Sequence, residues 1–272
     1  MASSAPSHST DAPSPPGSRS PSPALQLDPS TLAALSAFYD EQADAERQFH
    51  ELEKKAHDRL EQAREGNAAD DKMMSVDEFR TLMKEDWQLS QFWYSADFAS
   101  RFATFLYAHC TPSTRIAFLS CPTSYVGFQH QNPLHNVYLF EYDARFGLVA
   151  GNKFVKYDLE EPDVFPDELR NKVDIAIADP PFLNETTNRY FAQTLNALLA
   201  PSTGKLVLLT STSTRAFLPS VYTAPPAGPL YRTDFHVEHA GSRLQNEFGV
   251  WTSWEWEGEV EGVRCGGREE GA

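Results

Sequence analysis

Two periods run through the apolar positions of this chain. Short apolar runs bounded by polar or small residues recur at Arg115–Ser120, Asn136–Glu141, Lys153–Asp158, Val173–Ala178 and Gly204–Ser211, as expected of strands buried on both faces. Two later runs, Thr233–His239 and Asn246–Trp254, read as a closing pair. Between the runs the period lengthens to three or four residues. Ala96–His109 is predicted to be a helix capped by Ser95, with Phe98, Phe102, Phe105 and Leu106 on its buried face, and Thr186–Leu199 a second. Strands alternating with helices predict an α/β domain built on a mainly parallel sheet with crossovers, here seven strands over residues 85–256.

The N-terminal third follows other rules. Residues 1–27 are a Ser/Pro/Ala segment with too few large apolar groups to offset the entropy of ordering, so disorder is expected. Residues 28–84 form a helical extension: Leu32, Leu35, Phe38, Phe49, Leu52, Ala56 and Leu60 recur at helical steps, with Asp28 or Ser30 as the cap. Gln42, small alanines and Arg59 interrupt that seam, which favours a helix packed on its own domain over a coiled coil. Gly66–Lys72 is a polar break and Val76–Met83 a short second helix. Residues 257–272 are Glu/Gly-rich and read as a flexible acidic tail.

Composition narrows the function classes. The formal charge of −15 lies largely on the flanks, and such a surface repels a phosphate backbone, so no stable nucleic-acid binding is expected. Cys110, Cys121 and Cys265 are far apart and form no CxxC pair, which points to a reducing compartment and no zinc knuckle. No run approaches a membrane span and the N-terminus lacks the blocks of a signal peptide, so a cytoplasmic monomer is the default. His236 and His239, three apart on an expected strand, would face opposite sides and read as structural or surface residues, with no metal site.

The chemistry concentrates in Asp179-Pro180-Pro181-Phe182, directly after the buried run Val173–Ala178. Two prolines must stop the strand, which fixes a carboxylate, a rigid turn and an aromatic ring at its carboxyl end, where open α/β sheets keep their ligands. Asp179 and the Pro180 carbonyl can accept hydrogen bonds from an incoming amino group, and Phe182 offers a face for its carrier, so the arrangement suits methyl transfer to an amine. Other strand ends carry acids too. Glu141 can take both ribose hydroxyls of a nucleoside, with Asp143 as its competitor, and Asp158 can accept from an adenine amino group or merely cap its own loop. After the first strand, Ser120-Cys121-Pro122-Thr123-Ser124 stands where a glycine-rich loop is expected.

The blocks Asp86-Trp87-Gln88-Leu89-Ser90-Gln91-Phe92-Trp93-Tyr94-Ser95, Phe140-Glu141-Tyr142-Asp143, Asp179-Pro180-Pro181-Phe182 and Arg243-Leu244-Gln245-Asn246-Glu247-Phe248 resemble the elongation factor 1-alpha lysine methyltransferase family, over roughly Val76 to Trp254. That family, once labelled N6-adenine-specific DNA methyltransferase, shares the non-glycine first loop. The resemblance implies a seven-stranded, Rossmann-like class I methyltransferase fold, S-adenosyl-L-methionine as cofactor and elongation factor 1-alpha as protein substrate. It implies catalytic roles for Asp179, Pro180, Pro181 and Phe182, cofactor contacts from Ser120, Glu141, Asp143, Asp158 and Asp179, and substrate contacts from Phe92, Trp93, Tyr94 and Phe182. An adenine methyltransferase, or an idle interaction protein on the same fold, are the competing expectations.

Overall fold

The structure, a computed structural model, describes residues 28–40, 43, 47, 54, 73–241 and 246–268. The chain divides into two units, residues 1–44 and 45–272. In the first, residues 29–40 are helical. Asp28 is their cap, its carboxylate accepting from the amides of Ser30 and Thr31 at 2.9 and 3.0 Å. Leu32, Leu35, Phe38 and Tyr39 are exposed there. The expected tail 1–27, the continuation of the seam through Phe49, Leu52, Ala56 and Leu60, and the break at Gly66–Lys72 lie outside the described residues.

The second unit opens with helix α1 (Val76–Leu82), closed by a capping box in which Ser75 and Glu78 bond each other's backbone amides. Helix α2 (Ala96–Tyr107) starts at Ser95, whose hydroxyl accepts from the Phe98 amide, and buries Phe98, Phe102, Phe105 and Leu106. The strands follow as β1 (Ile116–Leu119), β2 (Val137–Glu141), β3 (Phe154–Lys156), β4 (Ile175–Ala178) and β5 (Lys205–Ser211), then β6 (Tyr231–Thr233), β7 (Phe248–Thr252), β8 (Glu259–Val260) and β9 (Val263–Arg268). Helix α3 (Pro122–Gln131) joins β1 to β2, and α4 (Glu185–Leu198) joins β4 to β5.

These strands form one sheet in the order β3-β2-β1-β4-β5-β7-β6-β9-β8. The first five are parallel and the rest antiparallel. Side chains alternate across it. Phe118 and Ile177 pack with α2 and α3 on one face, while Ala117, Leu119, Ala176 and Ala178 pack with Phe191, Leu195 and Leu198 of α4 on the other. Because β1 lies between β2 and β4, the chain leaves it in opposite directions, and the resulting crevice opens at the carboxyl ends of these strands.

Three expectations are corrected. The described sheet has nine strands, not seven, because residues 259–268 form a hairpin instead of fraying. Its turn places Glu261 and Gly262 at φ 48° and 79°, the left-handed pair a two-residue hairpin needs. Val263 is buried, and Gly266 lies so close to the Arg232 carbonyl that a Cβ would stand 2.4 Å from its oxygen. The acidic composition concealed a strand in which Val263 is buried and Gly266 lets the chain approach the Arg232 carbonyl closely. Second, β6 ends at Thr233, so residues 234–238 lie outside any strand. Third, of Ser120–Ser124, placed at the loop after the first strand, residues 122–124 already belong to α3, which runs to Gln131. From Pro122 to Phe128 this helix is buried all round, so no polar face revealed its period.

Deleting residues 257–272 strips β9 from β6 and exposes the site of Val263. The expected cost is about 1.5–3 kcal/mol, the burial of one valine-sized side chain, seen as a lower urea midpoint. An unchanged midpoint would return the segment to the status of a loose tail.

Candidate active site

A cavity of about 530 Å³ lies over the carboxyl ends of β1 to β4. Ser120, Cys121 and Thr123 line it from the end of β1, Glu141 and Tyr142 from β2, and Tyr157 and Asp158 from the end of β3. Asp179 to Leu183 enter after β4. Its far side is made by residues 89–94 and by His239, Asn246 and Phe248.

Asp179 is the electrostatic centre. The Pro180-Pro181 pair ends β4, Pro180 is buried, and Asn184 caps α4 by accepting from the Thr187 amide at 2.9 Å, so the turn is clamped at both ends. Tyr94 donates its hydroxyl hydrogen to Asp179 Oδ2 at 2.5 Å. Burial pushes the Asp179 carboxyl up to about 7; the Tyr94 bond opposes that rise and the Glu141 charge adds to it. Phe182, 46% exposed, stands at the rim.

Glu141 and Asp143, rivals in the sequence, are in different situations. Glu141 lines the cavity, and its Oε1 accepts from the Tyr142 and Asp143 amides at 2.9 and 3.4 Å. Burial pushes it up to about 7. Asp143 is not among the lining residues. Its Oδ2 accepts from the Arg145 guanidinium at 2.6 and 2.8 Å and from the Gln91 amide group at 3.1 Å, and its Oδ1 accepts from the Arg145 backbone. Burial would raise Asp143, but these bonds outweigh it and hold the carboxyl below its ordinary range. Asp158 lines the cavity while its Oδ1 also caps the loop through the Glu160 amide at 2.9 Å.

The first loop replaces glycine by other means. Ser120 itself adopts φ 55°, the left-handed conformation that glycine usually supplies, and Pro122 starts α3 where its missing N–H costs nothing. Cys121, at the cap position, makes no side-chain cap bond. Thr123 Oγ1 and Ser124 Oγ are buried without a partner at this helix N-terminus, where the macrodipole favours an anion.

Residues 91–95 form a strap across the site. Gln91 reaches Asp143, Tyr94 reaches Asp179, and the Ser95 amide donates to the Glu238 carbonyl at 2.8 Å. Phe92 lines the cavity, as substrate contact requires. Trp93 also lines the cavity, while its indole packs 5.3 Å from the Phe79 ring and 5.9 Å from Phe146, and its N–H donates to the Met83 carbonyl at 2.7 Å. His239 is a lining residue that the sequence reading dismissed. Its ring sits 4.9 Å from Tyr94 and 4.8 Å from Phe248, and burial lowers it to about 4, so it is neutral at pH 7. Spacing alone could not reveal this, because residues 234–238 are not the strand it assumed. Arg243 to Gln245 lie outside the described residues.

Residues 85–256 match a family described as "Probable N6-adenine methyltransferase". The chain is 34% identical over 244 residues to Protein-lysine N-methyltransferase EFM5 of Saccharomyces cerevisiae, covering 84% of this chain and 92% of that one. It is 31% identical to EEF1A lysine methyltransferase 1 of Mus musculus, covering 85% and 92%. The chain belongs to the elongation factor 1-alpha lysine methyltransferase family. Among solved structures, the branched-chain polyamine synthase of Thermus thermophilus, in complex with N4-aminopropylspermidine and 5'-methylthioadenosine, aligns with a TM-score of 0.51 at 10% identity, over 73% of this chain and 67% of that one. That likeness is one of fold alone.

The residues fit the methyl donor of this family. Orphaned hydroxyls at a helix N-terminus suit the α-carboxylate of S-adenosylmethionine, and a buried glutamate that lines the cavity at the end of β2 suits vicinal hydroxyls.

The raised carboxyls predict a cost in stability. Unfolded Asp and Glu titrate near about 3.9 and 4.3, whereas Asp179 and Glu141 titrate near about 7 in the fold. Between those values the native state binds more protons than the unfolded chain, so this contribution falls as pH rises through the window and is constant above it. Asp179→Asn, which still accepts from Tyr94, is therefore expected to raise Tm relative to the parent at about pH 8, with the difference vanishing near pH 4. Thermal scans across that range check it. Equal Tm values at both ends would mean that the carboxyl is not desolvated.

Proposed function

We propose that the chain is an S-adenosylmethionine-dependent protein-lysine N-methyltransferase and that translation elongation factor 1-alpha is its substrate. Family membership supports the substrate class. The observation that carries the chemistry is the desolvated Asp179 carboxyl, held by Tyr94 beside the exposed Phe182 at the mouth of the cavity.

The cofactor supplies an electrophilic methyl group on a sulfonium sulfur. Glu141 would hold the ribose hydroxyls and Asp158 the adenine amino group, while Thr123, Ser124 and Ser120 would receive the amino-acid end. Asp143 is assigned instead to fixing Arg145 and Gln91. On the acceptor side, Asp179 orients the amine through hydrogen bonds, with the Pro180 carbonyl as a second acceptor, and Phe182 and Phe92 pack against the lysine methylenes. A lysine amine is nucleophilic only after losing a proton from a group of pKa about 10.4, which at pH 7 costs roughly 4.6 kcal/mol. The apolar wall lowers that cost, and a carboxylate that titrates near 7 is a better proton acceptor than an ordinary one. An ammonium entering beside Asp179 pulls its pKa down again, so orientation is the first role of Asp179 and proton acceptance the second.

The adenine reading draws on the family description and on the Asp179-Pro180-Pro181-Phe182 signature, and the acidic balance opposes it. Among the described residues no helix is long and apolar enough to cross a membrane.

Incubation with labelled S-adenosylmethionine and separated protein and nucleic-acid fractions tests the substrate class: label is expected in protein, at the mass of elongation factor 1-alpha. With saturating cofactor the rate should climb between about pH 7 and 9 as free lysine amine accumulates. A flat profile with label in nucleic acid would establish the adenine reading. For the cofactor, Glu141→Ala is expected to weaken binding by about 1.5–3 kcal/mol in calorimetry, as for hydrogen bonds lost from a charged group. Loss in Asp143→Ala, with Glu141→Ala unaffected, would transfer the ribose contact to Asp143.

A further inference from the structure

Tyr94 entered as an aromatic face for the substrate, but its surroundings give it other work. It is 1% exposed. Its ring lies 4.8 Å from Phe98 and 4.9 Å from His239, and its backbone pairs with His239 as an isolated antiparallel bridge. The neighbouring residues are tied down as well: Trp93 by Met83, Phe79 and Phe146, and Ser95 by Glu238. A side chain fixed on every side is a poor choice for moulding to an incoming chain. It is a good choice for holding something else still.

What it holds is Asp179 Oδ2, at 2.5 Å. A carboxylate has two oxygens, and a rigid donor on one of them fixes both the rotamer and which oxygen remains for a ligand. We propose that Tyr94 is a positioning residue for methyl transfer: its hydroxyl pins Asp179 Oδ2 and so presents Oδ1 to the acceptor amine. This rests on the lysine-methyltransferase reading only for the identity of the acceptor. Burial and the neighbouring Asp179 charge keep the phenol protonated well above pH 10, so Tyr94 is a donor at every working pH. The groups facing the pair are Cys121 and Glu141 from the strand ends and His239 from the opposite wall. His239 is neutral at pH 7 and Cys121 is held in the thiol form by burial.

The test is a double-mutant cycle with Tyr94→Phe, which keeps the ring and removes only the donor, and Asp179→Asn. Tyr94→Phe is expected to lower kcat by roughly tenfold to a hundredfold, the range for a hydrogen bond to a charged group. KM for the protein substrate and Kd for S-adenosylmethionine should stay within about twofold, because the lost interaction acts at the reacting atoms. In the Asp179→Asn background the same change is expected to cost much less in kcat, since the carboxylate that Tyr94 positions for the amine is already gone even though the amide oxygen can still accept from Tyr94. Equal losses in the two backgrounds would overturn the proposal. So would a raised KM with intact kcat, which would return Tyr94 to substrate packing. A readout independent of substrate identity is the carboxyl carbon shift of Asp179 in isotopically labelled protein, whose titration midpoint should move upward in Tyr94→Phe because a bond that stabilises the charged form is lost. An unmoved midpoint refutes the contact even if the acceptor proves not to be lysine. Wild-type protein that labels nucleic acid alone would instead overturn the proposed function while leaving that titration valid.

Discussion

A half-buried carboxyl group whose ionisation is disfavoured, at the end of a buried strand, is the constraint on which the rest of this molecule depends. Asp179 cannot be there by accident of composition, because burial makes its charge expensive. β4 delivers it, two prolines stop the strand behind it, Asn184 restarts the chain as a helix, and Tyr94 satisfies one of its oxygens. The parallel pairings of β1 with β2 and β4 then bring Glu141 and the start of α3 to the same edge. What the sheet contributes to function is this convergence of strand ends, with the apolar core beneath serving as its rigid support.

A second carboxyl, Glu141, is desolvated in the same cavity and raised for the same reason. Two such groups in one crevice oppose folding and favour ligands that donate hydrogen bonds or carry positive charge. Asp143 shows the contrast: two positions along the chain, it is saturated by Arg145 and Gln91 and sits low. The difference between a residue poised for a ligand and one retired into the framework lies in the partners supplied by distant segments. Residue type does not decide it.

That is also where the sequence stopped being legible. The alternation of strands and helices, the Ser95 cap and the stripe Phe98, Phe102, Phe105, Leu106 could be read directly, because burial on one face leaves a period in the chain. The motif Asp179-Pro180-Pro181-Phe182 could be read because proline acts locally. α3 could not, since a helix buried all round has no polar face to betray it. The hairpin Glu259–Arg268 could not, since only Val263 on it makes a substantial apolar burial. Trp93 and Tyr94 are adjacent aromatics with opposite destinations, one into the core beside Phe79 and one onto Asp179, and nothing in their identity separates them. His239 acquires its place from pairing with Tyr94, a contact with no local signature.

The strap has a consequence in time as well as in space. Ser95 and Glu238, which close it, are 143 positions apart in the chain, and the bridge between Tyr94 and His239 spans a similar interval. Such long-range pairings are costly to close early, because the intervening chain must first lose its freedom. The parallel strands all precede residue 239 in the chain, but the far wall of the site is incomplete until His239, Asn246 and Phe248 have been made. Tyr94, which holds Asp179, thus gains its own backbone partner only after the long intervening stretch of chain has been made.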